Sequence, residues 1–224
     1  MERSGGEEAP QDGGWTAAPR IRAVEREGAG LIVHGEAPPG ARVVLRGGQD
    51  AAFAAGADAF GRFDVRVGAP SSPMLLTPEV QIGQFTAPGP ERLMLVGKGT
   101  LFAAMLVEGG ASRRLSAGPA LDSVDGDGRG VLVSGRAAPG ARLTVSGGGG
   151  AAVEVSVDPS GRWTAALTNI GDHPTSIHVG DRSFAYPGPA GEEAVGRIER
   201  AGAGWRLTRA LSSSARQTSW FPDV

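Results

Sequence analysis

Three carboxylates near the middle of the chain form the pattern in this sequence that is most typical of a metal site. The segment reads Asp122-Ser-Val-Asp125-Gly-Asp127-Gly. Clustered carboxylates on a tight turn supply the hard oxygen ligands that Ca²⁺ prefers. No glutamate follows at the position that would close a calcium loop. We therefore interpret Asp122, Asp125 and Asp127 as part of a solvent-facing turn, with calcium binding as the alternative.

Other patterns that could carry catalysis are missing from the sequence. The three histidines, His34, His173 and His178, do not form an H-x-x-x-H or H-E-x-x-H pair, and the chain contains no cysteine. No G-x-S-x-G elbow is present, and the glycine-rich runs lack the Lys-Ser/Thr ending of a phosphate loop. The sequence therefore predicts a protein that is not an enzyme and that binds no cofactor.

Charge and hydropathy exclude two further classes of protein. The 224 residues include 22 Lys plus Arg against 24 Asp plus Glu, so the basic surface of a nucleic-acid-binding protein is not expected. No apolar run approaches the roughly 18 residues of a transmembrane helix. The 37 glycines and 16 prolines favour many short elements joined by turns.

An internal repeat organises the chain. Residues 31–45 read LIVHGEAPPGARVVL, and residues 131–145 read VLVSGRAAPGARLTV, with seven of the fifteen positions identical at an offset of 100. The same offset pairs DAFGRF (58–63) with DPSGRW (158–163). Two such landmarks in the same order predict a tandem duplication of a unit of about 100 residues. The predicted units are residues 20–117 and 118–224, preceded by a tail of residues 1–19.

Short runs that alternate between apolar and polar residues follow each landmark. Residues 63–67 read FDVRV, and residues 153–157 read VEVSV. A period of two places every second side chain on one buried face of a strand. About seven such strands per unit, with turn residues between them, predict an all-β chain of two tandem antiparallel β-sandwiches.

The order of these motifs resembles that of bacterial Ig-like modules, the repeat domains of surface adhesins and envelope-associated proteins. In that family the G-x-A-x-P-G motif forms a turn between two strands, and the D-x-x-G-R-F/W motif leads into a core strand. The resemblance implies two tandem Ig-like sandwiches whose motif residues are structural. The matching residues are Gly35, Pro39, Gly40, Asp58, Gly61 and Phe63, and then Gly135, Pro139, Gly140, Asp158, Gly161 and Trp163.

The resemblance also implies scaffolding or recognition. We expect a structural and interaction module of a bacterial cell envelope, which presents loops and one sheet face to an envelope protein or a polysaccharide. The loops expected to carry this role are residues 46–51, 70–80 and 146–151. The alternative is a carbohydrate-binding module or an accessory region of an envelope enzyme, which requires several aromatic side chains on one exposed face. The residues considered for such an interaction surface are Tyr186, Trp220 and Phe221, although the last strand could instead bury them.

The amino-terminal segment bears on the cellular location. Residues 1–19 are polar, acidic and rich in glycine and proline, and they lack the apolar core of about 7–15 residues found in a signal peptide. Such a segment resembles the linker that follows a cleaved signal or a lipid anchor, and we expect it to be disordered. The predicted location is therefore the periplasm or the cell surface, with a signal or anchor outside this sequence. The cytoplasm is the alternative.

Overall fold

The computed structural model describes residues 17–224 except 49, 84, 98, 129, 171–172 and 213–214, and it describes only the backbone of Phe85 and Glu192. The described residues form twenty β-strands and one short 3-10 helix, Glu192–Ala194. Every ladder between these strands is antiparallel. The predicted all-β class is confirmed. The prediction of a disordered tail falls mostly on residues 1–16, which lie outside the described residues.

The first half of the chain, residues 20–117, contributes ten strands to two sheets. These strands are β1 Arg20–Glu27, β2 Gly30–Glu36, β3 Arg42–Arg46, β4 Ala52–Gly56, β5 Arg62–Gly68, β6 Met74–Ile82, β7 Phe85–Pro88, β8 Arg92–Val96, β9 Phe102–Leu106 and β10 Arg113–Arg114. The smaller sheet has the order β1-β2-β5. The larger sheet has the order β10-β9-β8-β6-β3-β4, and β7 also pairs with β6.

The second half, residues 118–224, contributes the other ten strands, also in two sheets. They are β11 Leu121–Gly126, β12 Val131–Arg136, β13 Arg142–Gly147, β14 Val153–Ser156, β15 Arg162–Leu167, β16 Thr175–Val179, β17 Arg182–Tyr186, β18 Ile198–Arg200, β19 Gly204–Ala210 and β20 Arg216–Pro222. One sheet has the order β15-β12-β11-β20-β19-β18, and the other has the order β14-β13-β16-β17.

The last three strands of each half join different sheets. In the first half, β8, β9 and β10 extend the sheet that contains β3 and β6. In the second half, β18, β19 and β20 extend the opposite sheet, where β20 pairs with β11. The two halves therefore share the arrangement of their first strands and differ in where their last strands attach.

The matched glycines of the two halves lie in the same close contact with an aromatic ring. Gly35 pairs with Phe63, and Gly135 pairs with Trp163. A Cβ added at Gly35 would lie 2.3 Å from the Phe63 ring, and one added at Gly135 would lie 2.5 Å from the Trp163 ring. Only hydrogen fits there, because the ring of the neighbouring strand covers the glycine. Both aromatic residues are core residues, at 2% and 3% exposure.

The two D-x-x-G-R motifs form the same turn. The Oδ1 atom of Asp58 accepts a hydrogen bond from the backbone N–H of Arg62 at 2.8 Å, and Asp158 accepts one from Arg162 at 2.9 Å. The intervening glycines, Gly61 and Gly161, both have a φ of 78°, a left-handed conformation that favours glycine. Pro39-Gly40 and Pro139-Gly140 are likewise turns, as expected.

Each half has its own apolar core, lined by residues from both of its sheets. In the first core, Val33 and Val65 from one sheet contact the cluster that includes Val43 and Leu76 from the other. The second core groups residues of the β11 and β13 sheets in the same way. The predicted alternation over residues 63–67 is observed in β5, whose apolar positions are buried and whose polar positions are exposed. This layering is compatible with a β-sandwich.

The structure also bears on the predicted absence of a transmembrane segment. Within the described residues, no helix has the length and apolar character needed to cross a bilayer. The division of the chain at residues 117–118 stays a prediction.

Candidate functional site

A third apolar core lies between the two halves. Met94 and Phe102 from β8 and β9 belong to one buried cluster with Leu207 and Phe221 from β19 and β20. The rings of Phe102 and Phe221 meet edge to face, with centroids 5.3 Å apart. The two sets of late strands therefore bury their outer faces against each other. We call this contact region, with the polar clusters around it, the junction.

A buried carboxylate lies at the junction, where β11 meets the segment that follows β9. The Oδ1 atom of Asp125 accepts hydrogen bonds from the hydroxyls of Ser112 at 2.7 Å and Ser219 at 2.5 Å. Its Oδ2 atom accepts from the Ser112 backbone N–H at 2.8 Å and from the Ser123 hydroxyl at 2.7 Å. One side chain thereby joins three separate stretches of the chain.

Burial controls the titration of this cluster. It raises the pKa of Asp125, although the hydrogen bonds from Ser112, Ser219 and Ser123 lower that pKa in part. Ser134 adds a fourth hydroxyl, 2.6 Å from the Ser112 carbonyl oxygen and 2.9 Å from the Ser123 hydroxyl. The carboxylate oxygens of Asp125 are thus occupied by serine donors, which connect this residue to both halves.

Gln217 on β20 holds the loop that follows β9. Its Nε2 atom donates to the carbonyl oxygens of Val107 and Gly110, each at 3.0 Å, and its Oε1 atom accepts from the Gly109 N–H at 3.0 Å. Arg209 on β19 donates to the Val107 carbonyl at 3.1 Å. Side chains of the second half thus supply several of the hydrogen bonds to the backbone of this loop.

A second buried carboxylate at the junction is surrounded by arginines. Asp122 has no exposed side-chain surface, and it accepts hydrogen bonds from Arg136 at 2.9 Å and from Arg162 at 3.2 Å. Burial raises the pKa of Asp122, and the charges of the two arginines oppose that rise. Arg136 also donates to the Ser116 carbonyl at 3.1 Å, which connects this cluster to the first half.

A cleft with a volume of about 700 Å³ opens beside this cluster. Its lining comes from both halves and is rich in charge: Arg20, Arg22, Glu91, Glu108, Arg113 and Arg162. Arg113 is tied to Glu91 by two hydrogen bonds of 2.5 and 3.0 Å. We call this space the junction cleft. Its charged side chains can hydrogen-bond a partner, and they stand beside the apolar surface of Pro19, Pro78 and Pro90.

The calcium alternative is not supported by the placement of the three aspartates. Asp122 faces arginines, Asp125 faces serines, and Asp127 accepts a hydrogen bond from the Gly130 N–H at 3.2 Å. Among the described residues, no group of three His, Cys, Asp or Glu side chains could hold a metal ion. The favoured interpretation was also wrong for Asp122 and Asp125, which are buried because the junction covers this strand.

The interaction surface considered at Tyr186, Trp220 and Phe221 is not formed, because all three are buried, at 2%, 1% and 0% exposure, which agrees with the alternative that the last strand buries its aromatics. Trp220 packs edge to face on Tyr186 at 5.7 Å and donates its indole N–H to the Ala201 carbonyl at 2.9 Å. The last strand lies between β11 and β19 and not at a sheet edge, so its aromatics face cores. Among described side chains, Phe60 is the one aromatic residue that is largely exposed, at 81%.

Two of the three predicted presenting loops are hairpin turns. In the first, the Gly47 N–H donates to the Ala51 carbonyl at 2.7 Å, and in the second, the Gly150 N–H donates to the Gly147 carbonyl at 3.0 Å. The third, residues 70–80, is mostly a strand: β6 begins at Met74 and pairs with β3 and β8. The loop prediction is wrong there, because residues 74–82, which read MLLTPEVQI, pair with neighbouring strands although Pro78 interrupts them.

Sequence reasoning missed Ser112 and Arg114, which help to build the junction, and it placed Asp125 on a solvent-facing turn although the residue is buried. One signal was present in the repeat itself. Positions 123 and 134 are serines, whereas the matched positions in the first half are Ala23 and His34. In the structure both serines are buried, whereas Ala23 and His34 are partly exposed.

Neither of two comparisons with known proteins places this chain in a family. No protein-family model matches the chain. No curated protein matches it in sequence. The resemblance to bacterial Ig-like modules therefore rests on the quoted motifs alone.

Proposed function

We propose that this chain is a non-enzymatic structural and interaction module of a bacterial cell envelope, built from two tandem Ig-like β-sandwiches in a fixed relative placement. The observation that carries the proposal is the buried junction, where an apolar core and the Asp125 hydrogen bonds join the two halves. Buried contacts of both kinds resist hinge motion, because opening them exposes apolar surface and unpaired polar groups.

The proposed partner surface is the junction cleft. Both halves supply its walls, so its shape depends on their fixed placement. Arg20 and Arg22 line the side formed by β1, and Arg162 lines the side formed by the second half. Arginine side chains carry several N–H donors in a planar fork that matches the geometry of a carboxylate. An envelope protein or a polysaccharide with acidic or hydroxyl groups fits this cleft.

The partners of the buried and paired titratable groups support a role without catalysis. The buried carboxylates Asp122 and Asp125 are engaged by arginines and serines. The His34–Asp64 pair, 2.7 Å apart, lies on a solvent-facing strand pair. The carbohydrate-binding alternative is weakened because Trp220 and Tyr186 are buried instead of forming a stacking platform.

The envelope location rests on the motif resemblance and is tested by protease accessibility. The gene is expressed from its native locus with all in-frame upstream sequence and an epitope tag in the 146–151 turn. Cleavage of the tag in whole cells or in spheroplasts supports a surface or periplasmic location, respectively. Protection until lysis overturns the envelope part of the proposal.

The cleft is tested in the same cells by site-specific photo-crosslinking. A photo-reactive amino acid replaces Arg20 at the rim of the junction cleft, and a matched control replaces Arg66, 74% exposed, on β5. We expect a defined cross-linked product from position 20 and none from position 66. Equal labelling from both positions, or no product from position 20 in either protein or polysaccharide fractions, contradicts a partner site in the cleft.

A further inference from the structure

The described residues begin in the wall of the junction cleft. Ala17, Ala18 and Pro19 are the first of them, and all three line the cleft. Residues 1–16 precede them in the chain. Chain connectivity therefore keeps the last residues of that amino-terminal segment beside the cleft.

Trp15 is the residue of this segment best suited to occupy the cleft. It is the only aromatic residue among residues 1–19, which are otherwise mostly polar residues, glycine, alanine and proline. It precedes Ala17 by two positions, a distance of at most about 7 Å in a fully extended chain. So short a tether gives a local concentration in roughly the millimolar range or above, so weak packing is enough to hold the ring.

The walls of the cleft offer apolar surface on which an indole ring can pack. Ala18 and Val107 are partly exposed there, and Pro90 is exposed. The cleft volume of about 700 Å³ is larger than a tryptophan side chain. Covering aromatic and aliphatic surface together is favourable, and the exposed carboxylate of Glu108 in the same lining can accept a hydrogen bond from the indole N–H.

The arginines of the cleft provide a second favourable surface. Arg22 is 50% exposed while it is paired with Glu36. Arg200 shows that an arginine paired with an acid can also hold an aromatic ring in this protein: it lies 4.9 Å from the centroid of the Trp205 ring while it is paired with Asp223. A neutral indole is attracted to the face of a guanidinium and does not compete for its acid. The acidic residues of the cleft therefore do not oppose Trp15.

We propose that Trp15 docks in the junction cleft of the free protein, against Pro90 and the Arg22 guanidinium, and that a partner has to displace it. The blocking role rests on the proposed function, which places the partner in this cleft. The docking itself does not depend on that function.

Fluorine NMR of the full chain labelled with fluorotryptophan tests the docking. The chain has four tryptophans, and Trp15→Phe identifies the Trp15 signal by its loss. The change in its chemical shift between H₂O and D₂O reports contact with water, and the same chain in concentrated urea gives the fully exposed value. We expect less than about half of that value in the folded chain, because a docked ring loses most of its contact with water. A value equal to that in urea overturns the proposal.

Variants of the cleft wall test where Trp15 docks. Pro90→Glu places a charge on the exposed apolar wall and should return the Trp15 signal to the urea value. Pro39→Glu makes the same change at an exposed proline outside the cleft and should leave the signal unchanged. Arg22→Ala removes the cation and provides a second variant should Pro90→Glu not fold, and it should also increase the exposure of Trp15. A signal that neither cleft variant changes contradicts docking in this cleft.

Photo-crosslinking from position 20 in cells tests the displacement. A chain that also carries Trp15→Ala should give about threefold or more of the cross-linked product, because an occupied cleft lowers the apparent affinity of a partner in proportion to its free fraction. An equal or smaller yield contradicts the blocking role. Where position 20 captures no partner in either chain, the proposed function fails, and the NMR measurement still decides whether Trp15 docks.

Discussion

The cross-strand ion pair between the first two strands occurs once in each half, with its charges exchanged. In the first half, Arg22 donates to Glu36 at 2.5 Å, and both side chains are about half exposed, at 50% and 52%. In the second half, the acid is Asp122 and the base is Arg136, 2.9 Å apart, and the acid is fully buried. Both matched positions, 22 and 122, lie at a register shift between the two strands. The local backbone arrangement is thus shared, and the two pairs differ in which strand carries the acid and in how deeply the acid is buried.

Burial in the second half reverses the direction in which the surroundings shift the pKa of the acid. The hydrogen bond from Arg22 lowers the pKa of Glu36. Burial raises the pKa of Asp122, despite two arginine partners. An exposed ion pair contributes little to stability, whereas removing one partner of a buried pair is costly. The same cross-strand ion pair is therefore an exposed contact of small effect in the first half and a buried contact of large effect in the second half.

The largest loss of stability is expected at the two matched glycines that lie under an aromatic ring. Gly35→Ala and Gly135→Ala should each destabilise the fold by about 4 kcal/mol, because the new methyl meets backbone as well as an aromatic ring. The added Cβ would lie 2.6 Å from the Arg20 carbonyl oxygen in the first case and 2.0 Å from the Ala120 carbonyl oxygen in the second. Urea unfolding measures both. Gly56→Ala, whose Cβ would have open space, is the control, and a cost there as large as at Gly135 would contradict the steric account.

The next largest loss of stability is expected in the second half alone. Asp125→Ala removes the acceptor shared by Ser112, Ser123 and Ser219, and should cost about 3 kcal/mol because buried donors lose their partner. Glu25→Ala, at the matched exposed position, should change stability by less than about 0.5 kcal/mol. Thermal or urea unfolding of the two variants gives the difference. Equal costs would show that the junction does not depend on the Asp125 cluster.

Removing one partner of each cross-strand ion pair should give a smaller difference in stability between the two halves. Asp122→Ala leaves Arg136 and Arg162 without their shared acid and should cost about 2 kcal/mol, less than the full penalty because both arginines are about one-third exposed. Arg22→Ala should cost less than about 0.5 kcal/mol. Salt provides a second measurement: raising ionic strength should screen the Arg22 pair more than the Asp122 cluster. A reversed order would contradict the role given to burial.

The smallest effect is a pH dependence of opposite sign at the two acids. The pKa of Asp122 is raised by folding, so its ionisation opposes folding, and its contribution falls as pH rises above its ordinary value of 3.8. The pKa of Glu36 is lowered, so its contribution is present above its ordinary value of 4.5 and is lost as pH falls below it. Stability of the wild type minus that of Asp122→Asn, and of Glu36→Gln, measured from pH 3 to 7 should show opposite slopes. Slopes of the same sign would contradict one of the two directions.

The sequence predicted what depends on local rules. Alternation at Phe63 and Val65, and the glycine turns at Gly61 and Gly161, follow from strand period and backbone sterics, and the structure shows them. The junction depends instead on which sheet each late hairpin joins. Nothing local decides that β20 pairs with β11, so the burial of Asp125 was not predictable from its neighbours in sequence, whereas burial of Trp220 by the last strand was one of the expected outcomes. Predicting this burial requires knowing which strands pair in the folded chain, and composition does not give that.

The attachment of β20 beside β11 has a consequence for synthesis of the protein. Asp125 and Ser219 meet across 94 residues of chain, so β11 is made long before its neighbour leaves the ribosome. Until then, one edge of β11 and the outer faces of β8 and β9 have no partner, and unpaired edges promote aggregation. Such distant pairing also slows folding. The growing chain is therefore most vulnerable in the interval between these two strands, when a chaperone would have the most to protect.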